Sequence, residues 1–223
     1  MTKFVKIREE SALLHVPKVE PHHPFHESVF YNHRMRFNRS FSSLAVAASG
    51  VENACDAFCA TGVRGIRYSK ENKLKEVTFV DANPDAVKIL NKNIKLNKIR
   101  SSTVLEENAN VAFNRQMFEW VEVDPFGCPT QFLENALRAV KNNGYLSVTG
   151  TDLAATSGAR PSVCKRHYDA KALKNEYCHE TALSIIIARI ARTAALLEKS
   201  ITPVARMWFE HSVKVVVRVE EGA

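Results

Sequence analysis

The segment "VDPFG", residues 123–127, places a carboxylate, a proline, an aromatic ring and a glycine in succession after a run of apolar and acidic residues. Pro125 disfavours helix at Asp124, so the backbone there stays extended and its carbonyl oxygens point outward. A carboxylate and a carbonyl can together accept both N–H bonds of an exocyclic amine and take its proton. We therefore interpret Asp124 and Pro125 as catalytic, and Phe126 as a platform that stacks on an aromatic base.

A structural interpretation of the same residues remains open. In a type I turn, Asp124 would cap a helix that we expect to begin near Thr130, which is a common role for an Asp-Pro pair. The residues of this segment do not decide between the two interpretations. A second segment upstream favours the functional one.

That second segment is "FCATGVRG", residues 58–65, which follows a predicted strand ending near Asp56. Gly62 and Gly65 would let the backbone approach a ligand at the amino terminus of the next helix. Asp81 ends the following strand and can accept hydrogen bonds from both hydroxyls of a ribose. Only a GxxG spacing is present, so S-adenosylmethionine fits better than a dinucleotide. The alternative is a glycine turn and an N-capping aspartate that only shape the fold.

Strand-like and helix-like patterns alternate over much of the chain. "EVTFVD" (76–81) is typical of a strand, and "PDAVKILNKNIKLN" (84–97) is typical of a helix with proline in its first turn. Such alternation predicts a mainly parallel sheet with helices on both faces. The helix predicted over 130–143 should end at Gly144.

The last third of the chain has a different pattern. Residues 152–168 lack a regular period and predict a loop, and residues 180–200 predict an amphipathic helix. Residues 203–209 and 213–220 predict an antiparallel hairpin that closes the sheet.

The composition indicates which kind of partner and which cellular compartment to expect. Lys and Arg number 31 against 24 Asp and Glu, which gives a net charge of +7 and favours a polyanionic partner such as nucleic acid. The five cysteines are scattered, and we see neither a secretory signal nor an apolar run of membrane-spanning length, so we expect a reducing cytoplasm.

We predict no metal site. The nearest arrangement, Cys164-x-x-His167 with Cys178-His179, lacks the paired CxxC knuckles of zinc ribbons, so packing is the favoured role. The histidines His22, His23 and His26 are better explained by a solvated loop.

Five ordered blocks resemble the tRNA (guanine(26)-N2)-dimethyltransferases of archaea and eukaryotes, over about residues 27–223. The blocks are "FYNHRMRFNR" (30–39), "DAFCATGVRGIR" (56–67), "VDANPDA" (80–86), "VDPFGCP" (123–129) and the segment 151–180 that begins "TDLAATSGARP". The resemblance implies a class I Rossmann-like, S-adenosylmethionine-dependent methyltransferase with a mainly parallel seven-stranded sheet.

The resemblance also implies roles for particular residues. Phe30 and Phe126 would sandwich the target guanine, while Asp124 and the Pro125 carbonyl meet its N2 amine. The cofactor-binding set comprises Arg39 and Arg64 for the methionine part, Asp81 for the ribose, Asn108 and Ala109 for the adenine, and Asp56, Thr61 and Gly62 in the glycine segment.

The chain departs from the family pattern at three points. Asn108-Ala109 stands where the family usually has Asp-Ala, and Glu122 replaces an aspartate. We divide the chain into an N-terminal arm (1–29) and a catalytic domain (30–223), and expect the carboxyl-terminal domain that helps the family grip tRNA to be absent.

Without that domain, tRNA binding would depend on basic residues near the site or on a separately encoded partner. The cationic candidates are Arg160, Lys165, Arg166 and Lys171, although each also suits a solvated surface. Two other functions stay open: an amino-methyltransferase acting on another RNA, DNA or a protein amide, and a tRNA-binding catalytic subunit that needs a partner.

Overall fold

The computed structural model describes residues 3–18 and 28–222 and has an α/β fold. Two compact units, Met1–Ala112 and Phe113–Ala223, divide the chain. No helix in the described ranges is long and apolar enough to cross a membrane.

The described residues of the first unit form five strands and four α-helices. In chain order they are β1 (Phe4–Glu9), β2 (Ala12–Pro17), α1 (Arg36–Ser49), β3 (Asn53–Ala57), α2 (Val63–Glu71), β4 (Glu76–Val80), α3 (Pro84–Leu96), β5 (Ser102–Leu105) and α4 (Ala109–Ala112). Strands β3, β4 and β5 pair in parallel, as the alternating sequence pattern predicts. Pro84 stands in the first turn of α3, and Asn83 caps that helix.

Strands β1 and β2 form an antiparallel hairpin within the segment that we interpreted as an arm. Asn93 of α3 and Asn97, the residue that follows α3, pair with the edge of β2. Asn93 exchanges hydrogen bonds with the main chain at His15, and Asn97 with the main chain at Leu13. The two side-chain amides thus take the place of a neighbouring strand, because they pair with main-chain N–H and C=O groups at the edge of β2. His22, His23 and His26 lie outside the described residues.

In residues 113–222 of the second unit there are four strands and four α-helices. They are β6 (Phe118–Val123), α5 (Leu133–Ala139), β7 (Val140–Gly150), α6 (Leu153–Thr156), α7 (Pro161–Tyr168), α8 (Cys178–Ala195), β8 (Lys199–Phe209) and β9 (Ser212–Glu221). Strands β6 and β7 are parallel, whereas β9 runs antiparallel to both β7 and β8. The predicted carboxyl-terminal hairpin is therefore confirmed.

The seven strands β3 to β9 form one sheet in the order β5-β4-β3-β6-β7-β9-β8. Its mainly parallel character with antiparallel strands at the carboxyl-terminal end confirms the predicted fold class.

Two sequence predictions in the second unit are wrong. The helix predicted over 130–143 ends at Ala139, and Gly144 lies inside β7. A Cβ atom at Gly144 would lie 2.9 Å from the carbonyl oxygens of Glu119 and Lys141, so glycine permits a close approach of two backbones. The predicted loop at 152–168 contains the short helices α6 and α7.

Both tryptophans of the chain lie in the second unit. Trp120 of β6 is fully buried, with its ring centroid 6.0 Å from that of Tyr145. Trp208 of β8 is 44% exposed and stacks on His179 at 3.8 Å.

Candidate functional site

Asp56, near the end of β3, organises the first turn of α2. Its side chain is buried, and Oδ2 accepts a hydrogen bond of 2.8 Å from the backbone N–H of Gly65. The Nε of Arg64 lies 4.0 Å from Asp56 Oδ1, and its Nη1 donates to Asn38 and Ser42 of α1. A buried carboxylate at the amino terminus of a helix is stabilised by the helix dipole as well as by the guanidinium.

The two glycines of this segment serve packing inside the unit. Gly62 has φ of +77°, and a Cβ there would lie 2.3 Å from Leu90 Cδ1; at Gly65 a Cβ would lie 2.4 Å from Phe79 Cε1. The space beside both residues is filled by protein side chains. Their absent side chains let α2 approach β4 and α3, and our interpretation that the backbone here also approaches a ligand stays a prediction.

Asp81 fixes the loop that joins β3 to α2. Its Oδ2 accepts from the N–H of Ala60 at 2.8 Å, and its Oδ1 accepts from the N–H of Asn83 at 2.9 Å. Phe58 and Ala60 in this loop have positive φ of 63° and 46°, which is strained for residues other than glycine. Since Asn83 is the N-cap of α3, Asp81 shapes the loop and keeps further acceptor capacity on a half-buried carboxylate.

Three other predicted residues lie close to helix termini of this unit. The carbonyl of Thr61 accepts a hydrogen bond from Asn93. Asn108 is exposed, and its Oδ1 accepts from the N–H of Asn110, while the buried Ala109 begins α4. Phe30 is half-buried and follows Val29, which packs against residues of α3.

Arg39 belongs to a buried ionic network that the sequence analysis missed. Its Nε and Nη2 donate to the two carboxylate oxygens of Glu9 at 2.7 and 2.5 Å, and Arg67 also pairs with Glu9 at 3.2 Å. Burial alone would raise the pKa of the Glu9 carboxyl, but the hydrogen bonds from Arg39 and Tyr31 and the charges of Arg39 and Arg67 lower it below its usual value. Only Nη1 of Arg39 could therefore meet a ligand carboxylate without breaking this pair.

The Asp-Pro-Phe-Gly turn follows β6 in the second unit. Gly127 has φ of +72°; its N–H donates to Thr151 Oγ1 at 2.8 Å, and its carbonyl accepts from the Thr151 N–H at 3.1 Å. Pro125 is buried and Asp124 half-buried, whereas Phe126 is 67% exposed. The turn is thus held at its base and presents an aromatic ring at its tip.

The capping alternative for Asp124 is not supported. The 3₁₀ turn at Thr130–Phe132 has Pro129 as its N-cap, with no side-chain capping hydrogen bond.

A buried ion pair lies two residues before Asp124. Glu122 and Lys214 pair directly, both side chains are fully buried, and the Lys214 ammonium also donates to Thr149 at 3.0 Å. The indole N–H of Trp120 donates to the other Glu122 oxygen. This network ties β6 to β7 and β9, and sequence could not reveal it because Glu122 and Lys214 lie 92 residues apart.

The four basic candidates, Arg160, Lys165, Arg166 and Lys171, are exposed on α7 and its flanks. Lys165 forms an ion pair with Asp169 one helical turn along. Exposed pairs of this kind contribute little to stability and leave the cation accessible.

Comparison with known proteins gives this geometry a context. A model of the N2,N2-dimethylguanosine tRNA methyltransferase family matches residues 9–223. The chain belongs to this family. A tRNA (guanine(26)-N(2))-dimethyltransferase of Metallosphaera sedula is 38% identical over 201 residues, covering 90% of this chain and 52% of the relative. A relative of the same description from Thermoplasma acidophilum is 35% identical and covers 97% and 62%.

Solved structures agree with the family assignment. The complex of Trm1 from Pyrococcus horikoshii with S-adenosyl-L-methionine superposes with a TM-score of 0.92 at 32% identity, covering 98% of this chain and 62% of that one. Trm5b from Pyrococcus abyssi, at 17% identity and a TM-score of 0.72, shares the fold. This family member thus spans between 52% and 62% of the length of these Trm1-type relatives.

Proposed function

We propose that this chain transfers methyl groups from S-adenosylmethionine to the exocyclic N2 amine of guanine at position 26 of tRNA, once or twice. The observation that carries the proposal is the Asp124–Gly127 turn, which presents an aromatic ring 67% exposed beside a carboxylate. Relatives named as tRNA (guanine(26)-N(2))-dimethyltransferases support the choice of substrate.

The amine needs activation because its lone pair is delocalised into the base. Asp124 and the Pro125 carbonyl would accept its two N–H bonds, orient the nitrogen and favour its pyramidal form. Phe126 and Phe30 would stack on the flipped base and offset the cost of removing it from the tRNA stack. S-adenosylmethionine supplies an electrophilic methyl group on sulfur. As the N–C bond forms and the C–S bond breaks, Asp124 takes the proton that N2 releases.

The residues of the first unit suit the cofactor in part. Asp81 keeps acceptor capacity for ribose hydroxyls, and Asn108 with Ala109 would meet the adenine edge at the start of α4. Arg39 and Arg64 would both hold the methionine carboxylate. Arg39 already donates to Glu9 through two of its nitrogens, and Arg64 donates to Asn38 and Ser42 through Nη1. Asp56, Thr61 and Gly62 would act by fixing the loop and the first turn of α2.

The partners and compartment follow from the same proposal. A net charge of +7 and the exposed cations of α7 favour tRNA as partner, and unpaired cysteines suit a reducing cytoplasm. The matched region covers 52% of the Metallosphaera sedula relative. A second candidate function is a tRNA-binding catalytic subunit that needs a separately encoded partner.

The test is methyl transfer from labelled S-adenosylmethionine to an unmodified tRNA transcript, followed by nucleoside analysis. A second transcript carries adenine in place of guanine at position 26. We expect label in N2-methylated guanosine that disappears with the second transcript. Label in another nucleoside or in protein would overturn the substrate assignment. Absent label with intact cofactor binding would instead support the subunit candidate, and adding the part of a relative that lies outside the match should then restore transfer.

A further inference from the structure

Three potential metal ligands converge beside the Asp124–Gly127 turn. Cys128 directly follows the turn, Asp152 follows β7, and His167 lies on α7. A thiol sulfur, a carboxylate oxygen and an imidazole nitrogen from these residues all lie within 4.8 Å of one another. All three residues belong to the second unit.

Two atoms of this cluster lack a partner. Asp152 Oδ2 and His167 Nδ1 are each buried, and neither has a hydrogen bond. They lie 3.9 Å apart, which is too long for a direct hydrogen bond. Buried polar atoms without a partner are rare in folded proteins and indicate a bound water or ion when they face each other.

The other oxygen of Asp152 is already fixed. Oδ1 accepts a hydrogen bond of 2.6 Å from the hydroxyl of Tyr168, a fully buried residue. Such an outer hydrogen bond is the usual means by which proteins orient a metal-ligating carboxylate. The hydrogen bond from Tyr168 therefore fixes the orientation of the Asp152 carboxylate, with the unpartnered Oδ2 towards His167.

We propose that Cys128, Asp152 and His167 bind a divalent cation of zinc type. A set of one sulfur, one nitrogen and one oxygen suits Zn²⁺, whereas Mg²⁺ and Ca²⁺ prefer oxygen alone. Ligand atoms around tetrahedral zinc lie roughly 3.3–3.6 Å apart, from bond lengths of about 2.0–2.3 Å. Side-chain rotations would close the remaining ångström, and three protein ligands leave one position for water.

Binding would join three segments that the sequence separates. The cation would link the residue after the Asp-Pro-Phe-Gly turn to the end of β7 and to α7, and would fix the backbone two residues from Phe126. The inference concerns binding and does not depend on the proposed transfer reaction. It also revises the expectation that this chain has no metal site.

Co²⁺ titration of the full chain under reducing conditions tests the site, because thiolate ligation gives a charge-transfer absorption that histidines and carboxylates do not. We expect this band to saturate at one equivalent and Zn²⁺ to abolish it. Cys128→Ser should lose the band, and His167→Gln should weaken binding at least about tenfold. Matched controls are Cys178→Ser and His211→Gln, which lie outside the cluster and should leave the titration unchanged.

Thermal unfolding provides a second measurement that does not need the thiolate band. Zn²⁺ at about 100 times its Kd should raise the Tm of the parent chain by about 5–10 °C and leave that of Cys128→Ser unchanged. Two results would overturn the proposal: a parent chain without the charge-transfer band, or a band and a Tm shift that persist in Cys128→Ser. In either case a water molecule would account for the space between Asp152 Oδ2 and His167 Nδ1. Far-UV circular dichroism of each variant confirms that it folds.

Discussion

The roles of the individual carboxylates in this chain differ with their burial and their partners. Asp56 and Glu9 are buried against guanidinium groups and main-chain N–H groups, and they hold the fold. Asp124 and Asp81 are only half-buried, and each directly follows the end of a strand. Burial therefore separates structural from candidate functional acids more sharply than residue type does.

Asp124→Ala should reduce methyl transfer by at least about 10²-fold while cofactor affinity stays unchanged, because the side chain would act on the amine and its proton. Single-turnover assays with labelled cofactor measure the first quantity, and calorimetry measures the second. A variant that keeps the parent rate would remove the carboxylate from the mechanism.

Asp81→Ala should weaken cofactor binding by about 1.5–3 kcal/mol, typical of lost hydrogen bonds to a charged group. Asp85→Ala is the matched control, since Asp85 is exposed on the next helix and pairs with Lys88. Calorimetric titration with S-adenosylmethionine compares the two. Equal affinities would contradict the ribose assignment.

At the scale of elements, helices and strands of the first unit are joined by contacts at particular positions. Helix α2 approaches β4 because Gly65 carries no side chain over the ring of Phe79. The β1–β2 hairpin contacts α1 and α2 through Glu9, and it contacts Asn93 of α3 and the following Asn97 through β2. These few contacts determine where the candidate cofactor loop lies within its unit.

Gly65→Ala tests the contact between α2 and β4. Inside a helix this change normally stabilises by about 0.5–1 kcal/mol, but here the new methyl group would overlap the Phe79 ring, and we expect a loss of about 1–3 kcal/mol. Urea unfolding measures the difference. Adding Phe79→Leu should recover part of the loss, and a stabilised Gly65→Ala chain would refute the close contact.

The pH dependence of stability tests the docking of the hairpin. Because the pKa of Glu9 is lowered in the folded state, its contribution is complete above its unfolded pKa of about 4.5 and disappears as pH falls through the lower folded value. The free energy of unfolding should therefore decrease below about pH 4.5.

Glu9→Gln should lose about 3–5 kcal/mol at neutral pH, because Arg39 stays buried without its counter-charge and Arg67 keeps only its pair with Glu71. The variant should also show a weaker acid dependence of stability. The neighbouring change Glu10→Gln, which removes an exposed pair with Arg36, should cost less than about 1 kcal/mol. Denaturant unfolding at several pH values compares the variants. Similar losses of unfolding free energy in Glu9→Gln and Glu10→Gln would contradict the role of Glu9 in docking the hairpin.

At the scale of the whole molecule, the sequence predicts the order and kind of most elements because the period of apolar residues changes from strand to helix. It misplaces the end of α5, since a glycine after a helical pattern suits a helix terminus and a strand equally well. It cannot group Glu9 with Arg67, or Cys128 with His167, because these contacts join segments that are distant along the chain. Motif residues are thus predictable, whereas their supporting partners are not.

The positive net charge predicts salt-sensitive binding of tRNA. If about five phosphates are contacted, raising salt fourfold should lower the affinity by roughly 10²–10³-fold, and Arg166→Ala should reduce the logarithmic slope by about one. Lys165→Ala should change the slope less, since the Lys165 ammonium already forms an exposed ion pair with Asp169 that competes with a phosphate contact. Filter binding over a salt series measures both. An affinity independent of salt would exclude a phosphate-based grip.

Because both tryptophans lie in residues 113–223, their fluorescence can test whether the two units unfold cooperatively. Fluorescence excited selectively at the tryptophans reports the unfolding of the second unit. Far-UV circular dichroism reports the loss of helix in both units. Coincident denaturation curves would mean that the two units melt as one, and separated curves would mean that one persists while the other is open. A cofactor that shifts only the dichroism curve would then localise its own binding energy without any labelling of the protein.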